Sequence, residues 1–294
     1  MNTELNTLYI SAGIIILSFI TMFLNATVIY RSSMNKVAST QHFSMVLVKM
    51  GFNFCFAAAT VVYSGNVILK LLGINDVLNL MYYSGNTVQS LEAAMGILNV
   101  FVALDRLFAM RRPLLYSRLY ARIIRNTNIA LILTAFIICF TIYTVTRPRD
   151  PTIKGYLFTH FVNRVAQNAI HLTTVGIFLI SMVVTVVFLH DYQALMSKRS
   201  SSQMAVYTKN ANTVNRLVLY LMSFEFTCLV IPNSLEIILS SFFGIHMSSF
   251  GPVIHPCFVL YMTVSSLMIF ICMIARRKMT PTSRVQTFPT SISK

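Results

Sequence analysis

Seven long runs of apolar residues dominate the sequence. Each is long enough to cross a hydrocarbon layer about 30 Å thick as a helix. A backbone in lipid must satisfy its own hydrogen bonds, so an apolar run of this length folds as a helix. The predicted spans are residues 8–30, 42–69, 80–110, 124–146, 168–190, 214–243 and 252–275. The sequence therefore predicts an all-α membrane protein, a seven-transmembrane helix bundle.

The charge pattern predicts the orientation of this bundle. The chain carries a net charge of +15, but only 11% of its residues are charged and 56% are hydrophobic. Its basic residues lie in short segments between the apolar runs, which argues against a nucleic-acid partner. Most of the 23 lysines and arginines fall on one side if the N-terminus is outside. The positive-inside rule then places the C-terminus in the cytoplasm, where basic loops would attract anionic membrane lipids.

The third predicted span carries a polar line. Glu92, Asn99 and Arg106 are seven residues apart and therefore share one helical face. Polar and charged side chains avoid lipid, so this face is expected to line the bundle interior. Glu92 is a candidate for the ligand pocket and Asn99 for a switch inside the bundle. Hydrogen bonding that only packs the helices together is the alternative for both residues.

The sixth predicted span repeats this pattern. Glu225 and Glu236 are eleven residues apart and return to nearly the same face, with Pro232 between them. A proline inside a helix removes one backbone hydrogen bond and favours a kink. We interpret Pro232 and Glu225 as parts of a switch, and Glu236 as a candidate pocket residue because it lies nearer the outside.

Two histidines, His171 in the fifth span and His255 in the seventh, lie toward the same side as Glu236. They could complete a polar pocket with Glu92 and Glu236. An ordinary interfacial histidine is the more common interpretation of each, and the sequence alone favours it. These residues do not have the spacing of metal ligands, and no arrangement suggests catalysis or a cofactor. Lys49 also lies inside an apolar run, the second, but no role follows from the sequence.

The stretch "ALDRLFAMRRPLLY" closes the third run and carries the sharpest motif. It resembles the signature that ends the third helix of rhodopsin-like G-protein-coupled receptors, with Leu107 in place of the usual tyrosine. The residues that match in register are Asp105, Arg106, Ala109, Pro113 and Tyr116. Other marks of that family are missing, since no tryptophan precedes Pro232 and the seventh run lacks Asn-Pro-x-x-Tyr. This partial pattern is similar to the divergent nematode serpentine chemoreceptors, of class BC or class U.

The resemblance implies a chemosensory receptor rather than an enzyme. Such a receptor binds an extracellular small molecule and activates a heterotrimeric G protein from the plasma membrane, in this family often in sensory-neuron cilia. Residues 1–278 would form the receptor domain and residues 279–294 a flexible cytoplasmic tail. The residues expected at the G-protein surface are Asp105, Arg106, Pro113, Tyr116 and Arg216.

Two expectations remain open at this point. The stretch "KNANTVNR" before the sixth span contains no acid that could hold Arg106, so we expect a loosely restrained resting state. The alternative function is a small transporter or a ligand-gated cation channel, in which Glu92, Glu225 and Glu236 would form a proton or cation path. No internal repeat supports a transporter.

Overall fold

The architecture comes from a computed structural model of the whole chain. It describes residues 3–34, 44–74, 78–111, 115–116, 120–148, 157–197, 220–244 and 254–279. Every structural statement below concerns these residues. Pro113, Arg216 and the predicted tail from residue 280 onward lie outside them.

Seven helices are long and apolar enough to cross a membrane, which confirms the predicted seven-helix fold. The first five helices are continuous, and the sixth span, Tyr220–Leu239, contains an irregular turn. The helices are α1 (Thr3–Met34), α2 (Ser44–Leu71), α3 (Leu78–Arg111), α4 (Ala121–Val145), α5 (Arg164–Ser197), α6 (Ile231–Phe242) and α7 (Ile254–Met279). We call the end of the bundle at which α1, α3, α5 and α7 begin the N-terminal face.

The helix α3 lies at the centre of the bundle. It packs against α2, α4 and α5, while α1 packs against α2 and α7. Apolar side chains cover the outside of the bundle, as a lipid-facing surface requires; examples are Ile16, Phe19, Phe23, Ile137 and Val183. Small polar side chains lie between the helices instead. Thr21 of α1 bonds Thr263 of α7 at 2.8 Å, and Asn86 of α3 donates to the Phe140 carbonyl of α4 at 3.1 Å.

The sixth span changes its helical geometry just before its proline. A π-helical turn, Phe226–Val230, leads directly into α6, where Pro232 is the second residue. Proline has no N–H to donate to the carbonyl one turn earlier, and a π turn accommodates this loss. The Asn233 side chain also donates to the Leu229 carbonyl at 2.7 Å. The irregularity that the sequence predicts at Pro232 therefore lies in the turn before it.

A short 3-10 helix, Phe158–Phe161, closes the N-terminal face, and we call it the plug. Phe158 packs so tightly on α3 that a Cβ atom on Gly85 would lie 2.6 Å from the Phe158 Cβ. The Phe158 ring also packs against the rings of Tyr82 and Tyr143, each with centroids 5.4 Å away. Its backbone N–H donates to the Tyr63 hydroxyl at 3.1 Å. Packing and one hydrogen bond therefore hold the plug in the bundle.

Truncation of the plug at Phe158 should destabilise the protein. Phe158→Ala removes a buried ring, and such changes cost about 3–5 kcal/mol of unfolding free energy. Thermal unfolding of the purified protein measures the loss. Phe242→Ala is the matched control, because this ring at the end of α6 is 79% exposed. An equal effect of the two substitutions would show that the plug contributes nothing to stability.

Acidification should also weaken the plug, through His160. Burial lowers the pKa of His160 below its ordinary value of 6.5. The unfolded segment therefore binds more protons than the folded one as the pH falls below that value. The contribution of neutral, buried His160 to the stability of the folded protein is therefore complete above pH 6.5 and is lost progressively below it. We expect the wild type to lose more thermal stability than His160→Asn between about pH 7.5 and about pH 5.5; parallel losses would contradict this assignment.

Candidate functional site

Buried polar residues occur at three levels along α3. Glu92 and Asn99 are both buried, as their seven-residue spacing predicts. The rise of an α-helix places them about 10 Å apart along the axis. We call the opposite end of the bundle, where α3 ends, the far face. Near it, Asp105 is buried, whereas the Arg106 side chain is 38% exposed. Each of the three buried residues finds a partner on another part of the chain.

Near the N-terminal face, Glu92 pairs with His255 of α7. The Nδ1 atom of His255 lies 2.7 Å from Oε1 of Glu92. Gln89, one turn earlier on α3, donates from Nε2 to Oε2 of Glu92 at 2.9 Å. Both oxygens of the carboxyl group are therefore engaged. A buried acid in lipid needs this kind of compensation, since an unpaired charge there is costly.

The local sequence explains why His255 enters the bundle. It is the second residue of α7, and Pro256 follows it in the first helical turn, where a missing N–H is tolerated. His255 is 6% exposed, so its side chain lies inside the bundle rather than on the outer surface. Tyr63 meets the imidazole edge to face with centroids 5.7 Å apart, and Phe56 lies at 6.2 Å. Through Tyr63 the pair is connected to the plug.

The other two predicted pocket residues are also buried. His171 of α5 is 5% exposed and therefore also lies inside the bundle. Its Nδ1 atom has no hydrogen-bond partner among the described residues. Glu236 of α6 is buried toward the N-terminal face. The structure brings Glu92 and His255 together in direct contact, and it places His171 and Glu236 in the same half of the bundle.

At the middle level, a lysine that the sequence left without a role joins three helices. Lys49 of α2 donates from Nζ to Oδ1 of Asn99 at 3.1 Å and to the Tyr261 hydroxyl at 3.4 Å. Asn99 in turn donates from Nδ2 to the same hydroxyl at 3.1 Å. Lys49 is buried, and its ammonium also lies 5.6 Å from the centre of the Tyr261 ring.

Glu225 of the sixth span lies near this group. Its carboxyl group interacts electrostatically with Lys49, and Ser181 of α5 and Asn99 lie within its hydrogen-bonding reach. We call Lys49, Asn99, Glu225 and Tyr261 the central network. It connects α2, α3, the sixth span and α7 at one level. The sequence places a lysine and a glutamate in two apolar runs, where an ionisable side chain needs a partner, but it does not show that the two lie near one another.

At the far face, Asp105 accepts a hydrogen bond from the Tyr116 hydroxyl at 2.5 Å. Both side chains are buried. Burial, and then the bond to Asp105, raise the pKa of the Tyr116 phenol. The Arg106 guanidinium lies 4.0 Å from Asp105, at the limit of an ion pair. The hydrogen bond therefore holds Tyr116 against Asp105, and Arg106 keeps part of its side chain exposed.

A second contact at this face joins α3 to α5. Arg111 donates from Nε to Oδ2 of Asp191 at 2.5 Å, and its Nη2 atom contacts the same oxygen. Nothing in the sequence shows that Arg111 and Asp191 meet across 80 positions. No group of His, Cys, Asp or Glu within the described ranges could hold a metal ion.

Removal of the Tyr116 hydroxyl should destabilise the far face. Tyr116→Phe leaves the buried Asp105 without this donor, and an unsatisfied buried polar group costs about 1–3 kcal/mol. Thermal unfolding of the purified protein measures the effect. Tyr120→Phe makes the same chemical change on a ring that stacks on Phe108. Equal stability of Tyr116→Phe and Tyr120→Phe would refute the structural importance of the Asp105 bond.

The chain matches a model of a known protein family. A family model described as serpentine type 7TM GPCR chemoreceptor Srbc matches residues 3–147, which include α1 to α4 and the Asp105–Tyr116 contact. No curated protein matches the chain. Class BC is one of the two classes that the sequence resemblance predicted, and the members of this family are receptors rather than enzymes. The seven spans and this match show that the chain belongs to the Srbc family of seven-transmembrane chemoreceptors.

Proposed function

We propose that the protein binds a small extracellular molecule between α3 and α7 and activates a heterotrimeric G protein. The observation that carries this proposal is the buried Glu92–His255 pair, because Glu92 lies on the same helix, α3, as Asp105 and Arg106 near its other end. The N-terminal face would then lie outside the cell and the far face in the cytoplasm. The distribution of basic residues in the loops supports this orientation.

The ligand would act on the Glu92–His255 pair. His255 lies in the first turn of α7 and contacts the plug through Tyr63, so a ligand beside its ring can change how α3, α7 and the plug pack. His171 and Glu236 are the further pocket candidates, because both are buried in the same half of the bundle. A ligand shifts the receptor only by binding one of its states more tightly than the other.

The central network would transmit this shift. It lies about 10 Å below Glu92 along α3 and joins α2, α3, α7 and the sixth span. Asn99 is common to its contacts, and Glu225 precedes the π turn and Pro232 in the sixth span. A span with a weakened hydrogen-bond ladder can swing its two halves relative to one another. Separation of Lys49 from Glu225 would free the sixth span to move.

The G protein would bind the far face. Arg106 is partly exposed there, and Asp105 beside it accepts the hydrogen bond from Tyr116. Pro113 and Arg216 remain candidates for the same surface. The expected absence of a lock between Arg106 and the sixth span falls on residues outside the described ranges. The Lys49–Glu225 pair supplies a different restraint on that span, deeper in the bundle.

The buried Lys49 argues against the alternative function, a cation path. A conducting pathway through Glu92, Glu225 and Glu236 would have to pass the Lys49 ammonium, which lies buried at the level of Asn99. A fixed positive charge in a low-dielectric channel repels cations. We therefore favour the receptor function, and the experiment below also detects the alternative.

Loss of the Lys49 charge should activate the receptor without a ligand. Lys49→Met removes the restraint on Glu225, so we expect basal G-protein signalling to rise several-fold in cells that carry a panel of G-protein reporters. Arg106→Ala in the same chain should return the signal to background, because Arg106 would contact the G protein. Surface expression of each variant normalises the signal.

Lys70→Met is the matched control, since Lys70 lies in the last turn of α2, well away from the central network. Background signalling from a well-expressed Lys49→Met variant would contradict the proposed restraint. High signalling that survives Arg106→Ala would contradict the role of Arg106. A Lys49→Met current in cells that lack G proteins would instead support the channel.

A further inference from the structure

One polar atom of the Glu92–His255 pair is left without a partner. The Nε2 atom of His255 is buried and has no hydrogen bond to any described residue. Its ring neighbours are Phe56 and Tyr63, which approach with their rings and offer no polar atom to Nε2 in these contacts. A buried polar atom without a partner is unfavourable, and a ligand that supplies the partner gains affinity.

The chemistry of that atom follows from a count of protons. A net charge buried in an apolar bundle is costly, so the pair of one carboxyl group and one imidazole is most stable when it is neutral overall. A neutral pair holds two acidic protons. One of them lies in the 2.7 Å bond between Nδ1 of His255 and Oε1 of Glu92. Oε2 of Glu92 already accepts the hydrogen bond from Gln89, so we assign the second proton to Nε2, whichever partner holds the bridging proton.

We propose that the Glu92–His255 pair presents a hydrogen-bond donor at Nε2 of His255 and binds a neutral small molecule through a carbonyl oxygen. This ligand class rests on the proposed function, because it assumes that the ligand occupies this half of the bundle. The carbonyl oxygen accepts the hydrogen bond from Nε2, and the apolar remainder of the molecule lies against rings such as Phe56 and Tyr63.

The neutrality of the Glu92–His255 pair also argues against charged ligands. Glu92 already accepts bonds from His255 and Gln89, so its carboxyl group does not need a cationic amine. A cation beside an Nε2–H group would meet a donor and add a net positive charge to a buried site. An anion would add a net negative charge. A neutral ketone, aldehyde or ester satisfies the donor and leaves the net charge unchanged.

The protonation of Nε2 can be measured before any ligand is identified. Nitrogen-15 NMR of the purified receptor, labelled at its histidine rings, distinguishes a ring nitrogen that carries a hydrogen from one that does not. Comparison with His255→Gln assigns the signals of His255. We expect a hydrogen on Nε2 at neutral pH, and an Nε2 atom without hydrogen would overturn the proposal.

The ligand class is tested with pairs of probes that differ only in the acceptor. The pairs are cyclohexanone with methylenecyclohexane, cyclooctanone with methylenecyclooctane, and acetophenone with α-methylstyrene. Binding is measured by thermal stabilisation of the purified receptor. We expect at least one ketone to bind about tenfold or more tightly than its alkene, as one hydrogen bond from a charged or polarised donor would give. The cation trimethylcyclohexylammonium should bind no more tightly than methylenecyclohexane.

Two variants relate the preference to His255. His255→Leu removes the donor, so the ketone and its alkene should bind equally. His255→Gln retains an N–H donor and should retain part of the preference. Equal binding of ketone and alkene to the wild type, tighter binding of the cation, a preference that survives His255→Leu, or no stabilisation by any ketone would each overturn the proposed ligand class.

Failure of the ligand class and failure of the proposed function give different results. A ketone that stabilises the receptor through His255 but activates none of a panel of G proteins would leave the ligand class standing and contradict the function. G-protein activation by the ammonium probe alone would support the function and overturn the ligand class.

Discussion

The cost of placing charge in an apolar bundle governs the interior of this protein. Glu92, Lys49, Glu225 and Asp105 are all buried, and each lies against a group that compensates it. Removal of one partner leaves the other exposed to a low-dielectric surrounding, which is far less favourable than either the intact pair or two apolar residues. The positions of the helices around α3 therefore depend on a small number of polar contacts, while apolar packing sets only their general arrangement.

These contacts also link the helices of the bundle to one another. Lipid supplies no hydrophobic force between helices, so packing and hydrogen bonds decide how they associate. The central network connects four spans through Asn99, and the sixth span has lost part of its backbone ladder at the π turn. A change of one partner at this level shifts several helices together. A receptor that must respond to a ligand of modest size benefits from a switch that involves few groups.

The sequence predicted the architecture well because lipid imposes a simple rule on length and hydrophobicity. It also indicated Glu92 and His255, although it favoured an interfacial position for the histidine. The sequence shows Lys49 inside the second run, but its neighbours Asn99, Tyr261 and Glu225 lie far from it along the chain. Contacts between such distant positions produce no periodic pattern in the sequence. The spacing of seven follows the face of Glu92 and Asn99, whereas Asp105 lies about 140° around the helix from Glu92. The spacing therefore gave no sign that Asp105, rather than Arg106, is the buried residue near the end of α3.

The plug has a consequence for how the receptor is made. Neither α3 nor the segment that carries Phe158 contains a cysteine, so no covalent bond can tie this loop to the bundle. The fit between Phe158 and Gly85 forms as soon as the helices assemble. Oxidative maturation, which takes seconds to hours where a disulfide must form, is not a step in closing this face. Formation of the plug is thus independent of the redox state of the compartment in which the chain folds.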